Sequence, residues 1–380
     1  MAQISRPLRL TFYILVILAG TVLSAGLAMR HAERQTLVEE AARANEQLGL
    51  YANSLHTLIE RYRALPAVLA LDPELRAALQ GPVATETQDA LNRKLEKING
   101  AARSSTLELL NHEGLAVAAS NWRLPSSYVG HNYGFRPYFK QTRSQGSGRF
   151  YAVGVTSGIP GYFLASAVKA DNQDFLGAMV VKLEFPELEH EWSQGNDTLL
   201  VSDARGIVFI ANQPGWRYRH LQPLSSNDLE EIKLTRQYDK QPLTPLQHQT
   251  LQRFDDNSSL ARVEGPEGRA SYLWESLPLA AEGWTLHLLR KPPNAFEETR
   301  NAGLAAAGAW LTLVFLLLFL NQRWRLGKVR QRNRQELEQL VEERTRDLRT
   351  AQEGLVQSAK LAALGQMSAA LAHEINQPLT

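Results

Sequence analysis

The sequence predicts an α+β protein whose strand-rich module lies between two membrane-spanning helices. Three observations carry this. Two long apolar runs without a charge occupy 10–29 and 301–322. Apolar residues recur at spacings of three and four from Arg30 to about Leu79. A strand-turn-strand pattern occurs at 105–120 and again from Thr198.

Each apolar run is long enough to cross a bilayer as a helix. A cleaved signal peptide is disfavoured for the first, because the run is long and AGLAMRH is a poor cleavage context. The second is too uniformly apolar (LTLVFLLLFL) for a buried core helix, and Arg323, Arg325, Lys328, Arg330, Arg332 and Arg334 follow it. Arg6 and Arg9 precede the first. Positive charge marks the cytoplasmic side, so 1–9 and everything after 322 are expected inside and 30–300 outside. The basic cluster is read as topology and membrane-lipid contact.

From Arg30 the residues Leu37, Ala41, Ala44, Leu48, Tyr51, Leu55, Leu58 and Tyr62 form one helical stripe. Pro66, Pro73, Gly81 and Pro82 break it, and a second helix is expected from Thr85 to about Arg103, so 30–103 is a helical support. Strands are expected at 106–110, 116–120, 148–156, 162–169 and 175–183, separated by turn residues such as Gly158-Ile159-Pro160-Gly161. TLLVSDARGIVFIAN repeats the pattern of STLELLNHEGLAVAAS, which suggests two related α+β domains, an expected membrane-distal one at 104–192 and an expected membrane-proximal one at 193–300. Later strands are expected at 259–264, 269–276 and 284–290. Residues 225–265 are polar with little apolar period and read as a variable insertion.

Composition narrows the function. The 380 residues carry a formal charge of +2, which implies no nucleic-acid partner. Without cysteine there is no disulfide, thiolate metal site or cysteine nucleophile. That usage is compatible with a bacterial periplasm. The nine histidines are scattered without H-x-x-x-H spacing, so no metal site is expected.

Inside, 323–358 is charged and helical. Val341, Leu348, Leu355 and Ala362 recur every seven residues, as in a parallel coiled coil, with Arg344 breaking the stripe. The helix continues through 359–380. With Leu371 as zero, Leu364, Met367 and Ile375 fall within about 40° of it, whereas His373 falls at about 200°. A histidine with no packing duty, followed by Glu374 and the helix-bending Pro378, suits chemistry. Neutral imidazole is a nucleophile near neutral pH, and a neighbouring carboxylate can orient it and take its proton.

The string LAALGQMSAALAHEINQPLT at 361–380 resembles the phospho-acceptor box of the sensor histidine kinases of two-component systems. The resemblance implies that His373 is the phosphorylated residue and Glu374 the acid/base, with Asn376 and Pro378 at matching positions. A second string set, ASNW, SSYVGHNYGFRPYF, GSGRFYAVGVTSGIPGYFLASAVKA and LGAMVVKLEF, resembles the periplasmic region of the C4-dicarboxylate sensors, the DctB family. It implies two PAS-like domains of the PDC, or double Cache, type in a multi-pass protein of the bacterial inner membrane. It also implies a homodimer, a response regulator with a receiver aspartate, and ATP and Mg2+ in the complete kinase. No glycine-rich phosphate cradle is seen, so the ATP-binding domain is expected to be absent from this chain, which alone would then be inactive.

A small dianion needs cations in a dry cleft with hydroxyl and amide donors. The family resemblance directs this role to Arg136 and Lys169, with Tyr138, Tyr151, Thr156, Ser157, Gly158 and Tyr162 between them; Tyr133 is a further candidate. Strand alternation puts some of the tyrosines on the wrong face. Two alternatives stay open: a binding-only chemoreceptor, which HEINQPL disfavours, and a kinase sensing an amino acid, with Asp171 or Asp174 for the ammonium.

Overall fold

The computed structural model describes residues 6–294 and 296–375, with side chains over 11–294 and 296–370. The chain divides into two compact units. One comprises Met1–Ala32 with Phe296–Thr380, the other Glu33–Ala295.

The first unit holds the N-terminal part of α1 (Arg6–Arg63) and the whole of α8 (Phe296–Ile375). Both helices are long and apolar enough to cross a membrane. Small residues bring them together. The Trp310 indole lies against Gly20 and donates to the Ile17 carbonyl at 3.2 Å, and Met29 lies against Gly303. Along α8, Val341, Leu348 and Leu355 are all exposed in the single chain.

In the second unit, Leu37, Ala41, Ala44, Leu48, Leu55 and Tyr62 of the expected stripe lie on the buried face of α1 together with Ile59, whereas Tyr51 and Leu58 are half-buried. Pro66 starts α2 (Leu65–Ala70), and Pro73 starts α3 (Pro73–Ala78), whose Asp72 cap accepts from the Glu74 and Leu75 amides. Next comes α4 (Thr85–Ala102).

The distal domain follows as β1 (Thr106–Asn111), β2 (Ala116–Ala119), α5 (Pro137–Gln145), β3 (Ser147–Val153), β4 (Pro160–Lys169) and β5 (Phe175–Leu183). Its antiparallel sheet has the order β2-β1-β5-β4-β3. A short α6 (Pro186–Ser193) leads to the proximal domain. There β6 (Thr198–Ser202) and β7 (Val208–Ala211) precede β8 (Arg219–His220), α7 (Ser226–Thr235), β9 (Thr244–Pro245) and β10 (His248–Arg253). Then come β11 (Ser258–Gly265), β12 (Gly268–Leu279) and β13 (Trp284–Arg290). The larger proximal sheet runs β10-β11-β12-β13-β6-β7. Apart from the added β10, this is the distal order again, so the expected duplication holds at the level of topology. The stretch 225–265 forms α7, β9, β10 and β11. The Ser225–Asp228 capping box starts α7.

One core serves both domains. Leu48, Leu55 and Ile59 of α1 join Leu107, Met179 and Val181 of the distal sheet and Val201, Phe209 and Leu286 of the proximal one. The other face of each sheet has its own core. A buried carboxylate fastens the domains to each other. Glu282, in the β12–β13 turn, accepts from Arg63 at the end of α1 and from Tyr162 of β4, and pairs with Arg149 at 3.4 Å. Its side chain is 4% exposed. Breaking a buried ion pair leaves the remaining charges uncompensated. Glu282→Ala is expected to cost about 3 kcal/mol, the low end of that class because Arg63 keeps Glu60. Thermal unfolding of the full chain in detergent measures it.

Candidate functional site

The distal sheet offers its outer face to a lid. Period-2 alternation sends Phe163 and Ala165 of β4, Ala178 and Val180 of β5 and Ala152 of β3 to that side. The loop before α5 lays Tyr128 and Tyr133 over it, and Tyr138 of α5 stacks on Phe163 with ring centroids 5.1 Å apart. Between lid and sheet lies a tight cleft of about 10 Å³, room for about one water, lined by Glu108, Tyr128, Tyr133, Arg136, Tyr138, Gly154, Val155, Thr156 and Phe163.

Two buried cations attend this cleft. Arg136 is 1% exposed. Its Nη2 donates to the Val153 carbonyl at 2.7 Å, and its Nη1 to the Thr235 and Arg236 carbonyls, both at 3.0 Å. Thr235 ends α7, so this distal arginine satisfies carbonyls that the helix C-terminus leaves open. Three of five guanidinium donors are thereby spent, which fixes the group and leaves two for another acceptor. Burial draws its pKa down, against the opposing fields of Tyr138 and Asp239.

Lys182 of β5 is the second cation, with its side chain 1% exposed. Its Nζ donates to Glu184 at 2.6 Å, to the Ile159 carbonyl at 3.0 Å and to Ser157 Oγ at 3.4 Å. Gly161 on β4 makes room, since a Cβ there would stand 2.6 Å from Lys182 Cε. Ser157 also accepts from Tyr128 at 3.2 Å, and Tyr133 and Thr156 share a hydrogen bond of 2.8 Å. Burial pushes the hydroxyls of Tyr133 and Tyr138 upward, so both remain protonated donors. Cations, hydroxyls and aromatic walls thus converge in one small, sheltered place, an arrangement suited to a compact carboxylate.

The structure brings Arg136, Tyr138, Thr156 and Ser157 together, as expected, along with Tyr133. Gly158 sits in the adjoining turn, where its φ of +69° suits glycine. Three expected residues are elsewhere. Tyr151 and Tyr162 pair across β3 and β4 but point to the opposite face, where Tyr151 donates to the Phe209 carbonyl and Tyr162 to Glu282. Lys169 is exposed at the end of β4, past a register shift after Val168. Asp171 and Asp174 lie exposed in the β4–β5 turn, where Asp171 pairs with Arg76. Sequence reasoning missed Lys182, Glu108 and Tyr128. A lone lysine after Met179-Val180-Val181, and a lone glutamate inside TLELL, were the available signals.

A larger cleft, about 760 Å³, lies between the two sheets, lined in part by Arg63, Arg149, Arg205 and Glu282. Its arginines are paired, to Glu282 or to Asp228 and Glu231. In the first unit the backbone of His373 and Glu374 lies in α8, their side chains are outside the described set, and Asn376 and Pro378 lie outside the described residues. Among the described residues no group of three or more His, Cys, Asp or Glu is placed to hold a metal ion.

Removing one charged hydrogen-bond partner typically costs about 1.5–3 kcal/mol, roughly tenfold to a hundredfold in affinity. With a small dicarboxylate as the probe, Lys182→Met is expected to weaken any binding in this cleft by that factor, and Lys169→Met to change it less than about twofold. Isothermal calorimetry on chain in lipid nanodiscs separates the two.

No family model matches the chain. The C4-dicarboxylate transport sensor protein DctB of Rhizobium meliloti is 35% identical over 400 aligned positions, covering 98% of this chain and 64% of the relative. The DctB protein of Pseudomonas aeruginosa is 32% identical, covering 90% of this chain and 57% of the relative. The chain therefore spans about three fifths of the curated relatives' length. The sensor domain of the V. cholerae histidine kinase DctB superposes with a TM-score of 0.61 at 27% identity, covering 67% of this chain and 98% of that one. Along nearly all of its length in sequence, and across its two-sheet module in fold, the chain resembles the DctB sensor kinases.

Proposed function

We propose that this chain is the sensory and phospho-accepting part of a membrane histidine kinase that binds C4-dicarboxylates such as succinate, fumarate or malate outside the cell. The observation that carries the reading is the pair of buried cations, Arg136 and Lys182, beside a tyrosine- and threonine-lined cleft in a domain resembling a DctB sensor. Arg136 would hold one carboxylate through its remaining donors. Lys182, with Ser157 and Thr156, would serve the other.

The two apolar helices would cross the inner membrane, with Arg6, Arg9 and the cluster Arg323–Arg334 in the cytoplasm and the two-sheet module in the periplasm. The exposed stripe of Val341, Leu348 and Leu355 would meet its copy in a homodimer and carry a shift of the second span toward His373. A ligand can move that equilibrium only by binding one packing more tightly than the other. His373 would accept the phosphoryl group, with Glu374 orienting the imidazole and taking its proton, and a response-regulator aspartate would receive it. ATP and Mg2+ would be substrates of the complete kinase.

Calorimetry on the full chain in nanodiscs tests the ligand class. Succinate is expected to bind, and L-glutamate and citrate to bind at least about tenfold more weakly, a gap of 1.4 kcal/mol. Equal or tighter binding of glutamate would transfer the site to amino acids. Addition of a full-length DctB protein with ATP and Mg2+ is expected to place an acid-labile label on this chain, and none on His373→Gln. A label retained by that variant would remove His373 from its role.

A further inference from the structure

A carboxylate stands where a dianion is proposed to bind. Glu108 lines the cleft from β1 and is 2% exposed. Its Oε1 accepts one long hydrogen bond, from the Tyr138 hydroxyl at 3.3 Å. Its Oε2 is buried and has no hydrogen-bond partner among the described residues. The groups facing it are Tyr128, Tyr133 and Arg136 from the lid loop, Tyr138 from α5 and Lys182 from β5. Neither cation is paired with it. Arg136 is turned to three backbone carbonyls, and Lys182 to Glu184, Ile159 and Ser157.

An ionised carboxylate in that position would be buried without a directly paired cation and would repel an incoming dianion. A protonated one has an O–H to donate. We propose that Glu108 is a neutral carboxylic acid that donates a hydrogen bond from Oε2 to a carboxylate of the bound ligand, so that binding is coupled to holding a proton. This rests on the dicarboxylate reading of the site and sharpens it. A donor at the cleft floor rewards a carboxylate and penalises an ammonium, which would discriminate against amino acids of the same length.

The group's titration agrees with the geometry. Burial pushes the Glu108 carboxyl up to about 7, opposed by the Tyr138 hydrogen bond and by the fields of Lys182 and Arg136. A bound dianion would raise it further. Below about pH 7 the acid is already loaded, and above it each binding event must take up a proton. Affinity therefore falls as pH rises, by up to about tenfold per pH unit.

Fumarate is the probe, because both its carboxyls are ionised across the range used. Calorimetry on the full chain in nanodiscs, from about pH 6 to about pH 8.5, is run in two buffers of different ionisation enthalpy. The expected result is a Kd that rises at least about tenfold over the range, with proton uptake growing toward one per ligand. Glu108→Gln keeps an N–H donor and is expected to bind with a flat profile and no uptake. Binding independent of pH in the wild-type chain, or release of a proton, would overturn the proposal and leave the dicarboxylate reading intact. Should Glu108→Gln fail to fold, the wild-type proton count alone decides. Failure of fumarate and succinate to bind a folded chain at any pH would overturn the site reading itself, and the proposal with it.

Discussion

An antiparallel sheet has two faces, and each must be covered. Here one helical stripe, from Leu37 to Tyr62, helps to close the inner faces of both sheets in a single core. That shared burial leaves the outer faces to be covered locally. The distal domain covers its outer face with a lid rich in tyrosine, Tyr128, Tyr133 and Tyr138, rather than with aliphatic residues. Large rings with polar tips leave a gap that accepts hydrogen bonds, and this gap is the cleft. Buried charge is tolerated there because turn carbonyls and the end of α7 hold it.

The proximal domain solves the same problem differently. Its outer core contains Trp216, Tyr272 and Trp274. His287 of β13 lies on the same face, taking hydrogen bonds at Nδ1 from Trp274 and Ser276 and meeting Ser202 through Nε2. Burial lowers its pKa to about 4, so it stays neutral and fully engaged. Two sheets of matching order thus carry different outer faces, one under a tyrosine lid with two buried cations nearby and one lined by indoles around a neutral histidine. Topology alone does not make a binding site.

Much of this was readable in advance. Strand limits such as 175–183 and 284–290 agreed because apolar runs bounded by Gly, Asp and Asn leave few alternatives. Both apolar runs lie in helices long and apolar enough to cross a membrane, and most of the α1 stripe is buried. The site was half legible. Arg136, Tyr138, Thr156 and Ser157 lie close in sequence and stayed close in space. Tyr151 and Tyr162 failed on parity: the neighbours Ala152 and Phe163 face the lid, so these tyrosines cannot. Lys182 was overlooked because both faces of β5 are buried, which hides alternation, and because Lys169 is nearer in sequence to the other candidates. The helix α5 was not anticipated. It is short and polar, and its one strong signal, Pro137 at the first turn, sits inside FRPYF. Nothing in the sequence tells which carbonyls a distant arginine will meet.

Those carbonyls have a thermodynamic consequence. Arg136 belongs to two folding units of the same module: its backbone starts α5 of the distal domain, and its Nη1 closes the end of α7 of the proximal one. A shared donor makes the free energies of the two places interdependent. An anion that drew Nη1 toward itself would uncap α7, and a change that tightened α7 would hold the guanidinium back from the anion by the same amount. Linkage of this kind is reciprocal by necessity. The proximal domain would then serve as the load against which the distal cleft is tuned.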